Sequence, residues 1–166
     1  MNFGLVRVII HWSAGGRLAS IIDKEHYHFM VQQDLQVVTG KLPPEANIAI
    51  VEGKPYAAHT KGINTGSIGV SMCGMALAEP VPLQWGASPI TAAQVDATCA
   101  LVAQLCKKYG IKVSRKTVLT HAEVQQTLGA KQNGKWDIRC LPGDKAIRDA
   151  IEVGDVLRAK VQGHLG

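Results

Sequence analysis

The sequence predicts an α/β fold in which a mixed central β-sheet is flanked by helices. Two observations lead there. Short apolar stretches bounded by turn residues recur at 5–10, 27–31, 67–73 and 118–120, and a longer apolar stripe at helical spacing runs from Val95 to Tyr109. Strands and helices are interspersed without the strict alternation of a purely parallel sheet. With 166 residues, 46% of them hydrophobic, the chain can bury one substantial core. It shows no internal repeat and no linker, so we expect a single domain over residues 1–166.

Residues 5–10, LVRVII, are nearly continuous in hydrophobicity, as a buried strand should be, and end at His11. Ser13-Ala14-Gly15-Gly16 breaks this strand, and 17–25 suits one or two helical turns. Tyr27 to Val31 reads as a second strand, with Gln33-Asp34 as a turn and 35–39 as its hairpin partner. Pro43, Pro44, Gly53 and Pro55 make 40–55 a loop with a short strand at 48–51. A further strand at 67–73 follows, then a proline-rich loop over 80–90. Thr91 and Gln94 form a capping box at the head of the clearest helix. Val95, Cys99, Val102, Cys106 and Tyr109 are its apolar stripe and Gly110 its end. Val118 to Thr120 is a short strand delivering His121, and 129–143 is a loop. Asp144 is the expected cap of a last helix facing inward through Ile147, Ile151 and Leu157, with Gly154 as a weak point.

Composition narrows the function classes. The chain has 18 basic and 13 acidic residues, a formal charge of +5, which favours polyanionic partners. The basic residues are dispersed and aromatics make up only 5%, so nucleic acid is not an expected partner. No apolar run approaches the roughly 18 residues that span a bilayer, so we expect no stable membrane association, and we expect a monomer. The start, MNFGLVRVII, has no basic cluster before its apolar stretch and no small-residue cleavage site, so it reads as a first strand and not as a signal peptide. Synthesis in the cytoplasm, with any export by another route, is the expectation. The 4 cysteines form no CxxC pair. This excludes a thiolate zinc ribbon and leaves buried free thiols as the reading.

The chemistry-bearing residues are few. His11 and His121 each end a short apolar strand, where a side chain is held rigidly yet faces a cleft. Taken singly, each reads better as a satisfied histidine at a sheet edge, and the shared strand-end context shifts that balance only modestly. In Gly134-Lys135-Trp136-Asp137, alternation along an extended segment can point Lys135 and Asp137 to one side. On spacing alone that pair reads better as part of a solvated loop. Two imidazoles and a carboxylate would make a three-ligand zinc site with a place left for water.

The motifs HWS at 11–13, YHF at 27–29, AHTKGINTGSIGV at 58–70, THAEV at 120–124 and GKWD at 134–137 occur in one order. Together they resemble the zinc-dependent N-acetylmuramoyl-L-alanine amidases, a family that includes bacteriophage lysins and peptidoglycan-recognition proteins, over roughly residues 5–143. The resemblance implies a peptidoglycan-recognition-protein-like fold with Zn2+ held by His11, His121 and Asp137. It implies that Tyr27 orients the attacking water, that Lys135 stabilises the tetrahedral intermediate, and that His59 and Asn64 stand in the wall of the substrate groove. Peptidoglycan is then the partner, and a phage or prophage lysin acting on the cell wall the preferred setting. A non-hydrolytic binding module and a cytosolic amidase of muropeptide recycling are the rivals. Three departures from the family pattern stand out. Ser71 occupies the position where some members carry a glutamate base. The stretch between His11 and Tyr27 is short. Cys140 follows Asp137 closely enough to compete as third ligand, and Glu123 reads either as a support for a ligand imidazole or as a surface carboxylate.

Overall fold

The computed structural model describes residues 4–166. Its centre is a five-stranded sheet of β1 (Arg7–Trp12), β2 (Phe29–Val31), β3 (Val37–Thr39), β4 (Ser67–Met72) and β5 (Val118–Thr120), in the order β3-β2-β4-β1-β5. β1 lies parallel to both β4 and β5, β2 is parallel to β4, and β3 returns antiparallel to β2 as a hairpin. The sheet is therefore mixed, and it is flanked by helices α1 (Ile21–His26), α2 (Ala92–Tyr109), α3 (Val124–Leu128) and α4 (Ala150–Leu165).

Because side chains alternate across a strand, β1 serves two faces at once. Val8, Ile10 and Trp12 join Ile68, Val70 and Met72 of β4 in the main core, closed by Val95, Cys99, Val102 and Cys106 of α2 and Val153, Leu157 and Val161 of α4. Ile9 points the other way, into a small cluster with Leu119 and Val124. His11 lies on that second face, next to Ser71 in the register of β1 against β4. The fold thus packs its two long helices, α2 and α4, against one face of the sheet, while the other carries His11.

The expected α2 is present with its capping box, Thr91 and Gln94 exchanging hydrogen bonds, and it ends at Gly110 in the left-handed conformation. Elsewhere the boundaries differ. α1 is set by a second capping box, Ser20 with Asp23. Tyr27 caps the end of α1, so β2 starts only at Phe29. No strand forms at 48–51. Pro44–Asn47 makes a 3-10 turn, and the buried Asn47 side chain holds both backbone groups of Ala57, at 2.8 and 2.9 Å. The last helix begins at Ala150 under Asp149, whose carboxylate accepts from Glu152 N–H. Asp144 is instead engaged by the Leu141 N–H at 2.8 Å, which closes the preceding turn and keeps Ile147 outside the helix.

Gly154 is a close contact and not a weak point. Its missing side chain makes room for the Glu123 carboxylate, which would lie 2.2 Å from an added Cβ. Glu123 is neither exposed nor beside a ligand imidazole. It is fully buried, pairs with Arg158 of α4 at 2.8 Å and accepts the Thr120 N–H at 2.7 Å. The α4 helix is thereby fastened to the turn that carries His121.

Candidate metal centre

The ends of β1 and β5 lie side by side, so His11 and His121 meet although they are 110 residues apart in sequence. Their Nδ1 atoms are separated by 3.1 Å. Asp137 closes the triangle, with one carboxylate oxygen 3.3 Å from His11 Nδ1 and the other 3.3 Å from His121 Nδ1. All three side chains are buried, and their donor atoms lie within 4.8 Å of one another. The 121–123 turn is pinned to the Asp137 segment by Ala122 N–H donating to Asp137 O at 2.6 Å.

The hydrogen bonds behind the rings decide what the Nδ1 atoms can offer. His59 Nε2 faces only a carbonyl, Ser67 O at 3.3 Å, so it carries the proton and His59 Nδ1 is an acceptor. His11 Nε2, 3.2 Å from that Nδ1 and 3.3 Å from Thr60 Oγ1, is accordingly the donor. His121 Nε2 lies 2.8 Å from Gln132 Oε1, and the Gln132 amide is oriented by donating from its nitrogen to Lys61 O and Ala130 O. The partners at Nε2 turn both Nδ1 atoms toward the ionised Asp137 carboxylate. Against the effect of burial, the hydrogen bond and charge of Asp137 raise the His121 imidazole above its ordinary value. Burial holds the His11 imidazole down at about 4. Burial works against the Asp137 carboxylate, yet its interactions with His11 and His121 outweigh it and leave Asp137 at about 2. A buried carboxylate facing two imidazole nitrogens could hold a cation, and an N, N, O donor set suits zinc.

A cavity of about 340 Å³ opens over this cluster, lined by His121, Asp137, Tyr27, Lys135, Trp12 and Trp136 among others. Burial first, then the Asp137 charge, raises the Tyr27 phenol above its ordinary value, so the hydroxyl keeps its proton at neutral pH. The ring of Tyr27 sits 5.1 Å from that of His11. Lys135 is exposed on the rim. Trp12 and Trp136 meet edge to face at 4.7 Å and form a seam between core and cavity, so they both pack and line.

His59 and Asn64 do not line that cavity. His59 is 8% exposed and lies beneath His11, its ring against the backbone of Gly69, where an added Cβ would come within 2.6 Å. Asn64 Oδ1 accepts the backbone N–H groups of His59 and Thr60, at 3.0 and 2.8 Å, and so fixes the loop that supports His11. Both residues, expected in the groove wall, stand behind His11 in this structure. Cys140 is fully buried in the main core, apart from the cluster, and does not compete with Asp137. Ser71 lies beside His11 on the neighbouring strand and brings no carboxylate there. Gln132 was not legible: a glutamine in a polar loop carries no local signal, and only the returning chain brings it to His121.

A family model for N-acetylmuramoyl-L-alanine amidases matches residues 6–143. The chain belongs to this family. Its fold is similar to that of the N-acetylmuramoyl-L-alanine amidase LysC from Clostridium intestinale (TM-score 0.56, 19% identity, 97% of this chain and 87% of that one). It is similar to the Staphylococcus aureus hydrolase AmiA in complex with its ligand (0.58, 14%, 98% and 78%). Drosophila peptidoglycan recognition protein SD also shares it (0.50, 19%, 86% and 85%). No curated protein sequence matches the chain. At these identities the structural likeness bears on the fold, and the amidase family has the peptidoglycan-recognition-protein-like sheet described above. α4, which carries Arg158, begins beyond the region the family model matches.

Proposed function

We propose that this amidase-family chain is a zinc-dependent hydrolase of the amide joining N-acetylmuramic acid to L-alanine in bacterial peptidoglycan, working as one catalytic domain. The observation that carries the reading is the pair of Nδ1 atoms of His11 and His121 facing the Asp137 carboxylate at the floor of an open cavity. Zinc held by these residues would supply Lewis acidity and bring the pKa of water down to about 7. Tyr27, kept as a hydroxyl, orients the attacking water by hydrogen bonding. The Lys135 ammonium, on the rim, offsets the negative charge that develops on the amide oxygen. Trp12 and Trp136 give the glycan or peptide an apolar wall. The presence of His11, His121, Asp137, Tyr27 and Lys135 together favours hydrolysis over binding alone. We place the protein as a phage or prophage lysin, made in the cytoplasm and acting on the wall, and an endolysin amidase LysCS from Clostridium intestinale has a similar fold (TM-score 0.54, 18% identity).

The test is metal content together with release of new amino termini from purified sacculi, for wild type, His121→Ala and Lys135→Ala. Bound zinc and activity on sacculi are expected for wild type. Activity confined to soluble muropeptides would point to a recycling amidase, and zinc-free turnover at full rate would end the metal reading.

A further inference from the structure

We propose that Gln132 is a positioning residue of the metal centre, locking His121 in the tautomer that ligates through Nδ1 and joining the supports of both histidines. The inference rests on the zinc reading above. Gln132 is 5% exposed, although its neighbours Lys131 and Asn133 are exposed. A buried primary amide is costly unless its polar groups are paired. Here Oε1 accepts from His121 Nε2–H at 2.8 Å, and the amide nitrogen donates to Lys61 O at 2.7 Å and Ala130 O at 3.2 Å. The backbone N–H donates to Gln125 Oε1 at 2.9 Å.

This arrangement has a direction. The amide nitrogen faces two carbonyl oxygens, so flipping the group would set oxygen against oxygen and leave the nitrogen facing the imidazole. Gln132 can therefore offer His121 only an acceptor, so the neutral imidazole carries its proton on Nε2 and turns its Nδ1 lone pair toward His11 and Asp137. The same amide reaches the other histidine. Lys61 directly follows His59 and Thr60, the residues that receive the Nε2–H of His11. A closed path thus runs from His11 through residues 59–61 to Gln132 and His121, and both Nδ1 atoms are aimed by one connected support. Removing an outer partner of a ligating histidine typically weakens metal binding about 10–100-fold.

The test is zinc affinity by chelator competition for wild type and Gln132→Met, with metal-free thermal melts and long-range 1H–15N spectra of the zinc-loaded proteins. Wild type should show His121 bound through Nδ1 with a slowly exchanging Nε2 proton. Gln132→Met should bind zinc about 10–100-fold more weakly with that proton exchanging faster, and its metal-free melt reports whether the fold is kept. Unchanged affinity and exchange in Gln132→Met would overturn the proposal, as would a wild-type spectrum with no proton on His121 Nε2. A wild-type spectrum without that proton overturns the proposal even if the variant does not fold. A wild type that takes up no zinc defeats the metal reading and this inference with it, whereas a zinc-binding wild type with an indifferent Gln132→Met defeats this inference alone.

Discussion

The Nδ1 atoms of His11 and His121 stand 3.1 Å apart, and the Asp137 carboxylate bridges the pair. Removing one imidazole deletes a donor and leaves the carboxylate buried without a partner on that side. His121→Ala should therefore lose stoichiometric zinc, read by elemental analysis after dialysis, and lose wall hydrolysis with it.

Lys135 touches none of these groups and sits exposed on the rim. Lys135→Ala should keep wild-type zinc content and thermal stability while turnover on sacculi falls about 10²–10³-fold, the range for loss of a group that stabilises an oxyanion. Full activity in this variant would remove Lys135 from the mechanism.

Gly69 and Gly163 make a matched pair. A methyl at Gly69 would lie 2.6 Å from the His59 ring, whereas nothing lies within 4 Å of one at Gly163 in α4. Gly69→Ala should cost about 1–3 kcal/mol by overpacking and also weaken zinc binding through His59 and His11. Gly163→Ala should stabilise by about 0.5–1 kcal/mol through lower backbone entropy in the unfolded chain. Denaturant unfolding checks both.

His28 is buried between Asn47 and the Gly69 N–H, which donates to its Nδ1 at 2.9 Å while Nε2–H donates to Asn47 Oδ1 at 3.1 Å. Burial lowers its pKa from 6.5 to about 4. The unfolded chain then binds the proton more readily, so this contribution is complete above about pH 6.5 and is lost as pH falls toward 4. The expected loss is on the order of 3 kcal/mol at 1.36 kcal/mol per unit. Urea unfolding of His28→Gln should show a shallower decline over that interval than wild type.

Arg158 and Glu123 form a buried pair at 2.8 Å that links α4 to the His121 turn. Arg158→Met leaves the carboxylate buried and uncompensated, at a cost of about 3–5 kcal/mol. Glu123→Gln added to Arg158→Met should cost less than the two single changes summed, because the unpaired charge is gone. Simple additivity in a double-mutant cycle would show that the two side chains do not interact.

Much of the framework was readable because it is encoded locally. The Thr91–Gln94 capping box and the left-handed Gly110 involve neighbouring residues, so pattern alone marked α2. The nearly continuous hydrophobicity of residues 5–10 announced a buried strand ending at His11, and the order of short motifs brought His11, His121, Asp137, Tyr27 and Lys135 into one family pattern. The misplacements arose where two local solutions competed. Asp144 and Asp149 are both good caps, and the turn that engages Asp144 through Leu141 decided between them.

Sequence by itself determined which residue types were available, where strands and α2 had to form, and which side chains suited a divalent ion. Only the tertiary structure decided what stands behind them. Strand register put His59 over the bare backbone of Gly69, the loop closing on Lys61 brought Gln132 to His121, and α4 delivered Arg158 to Glu123. The physical reason is reach. Periodicity and capping operate over three or four residues, whereas the proton positions on the two imidazoles depend on partners tens of residues away, and those partners are selected only when the sheet and its loops close.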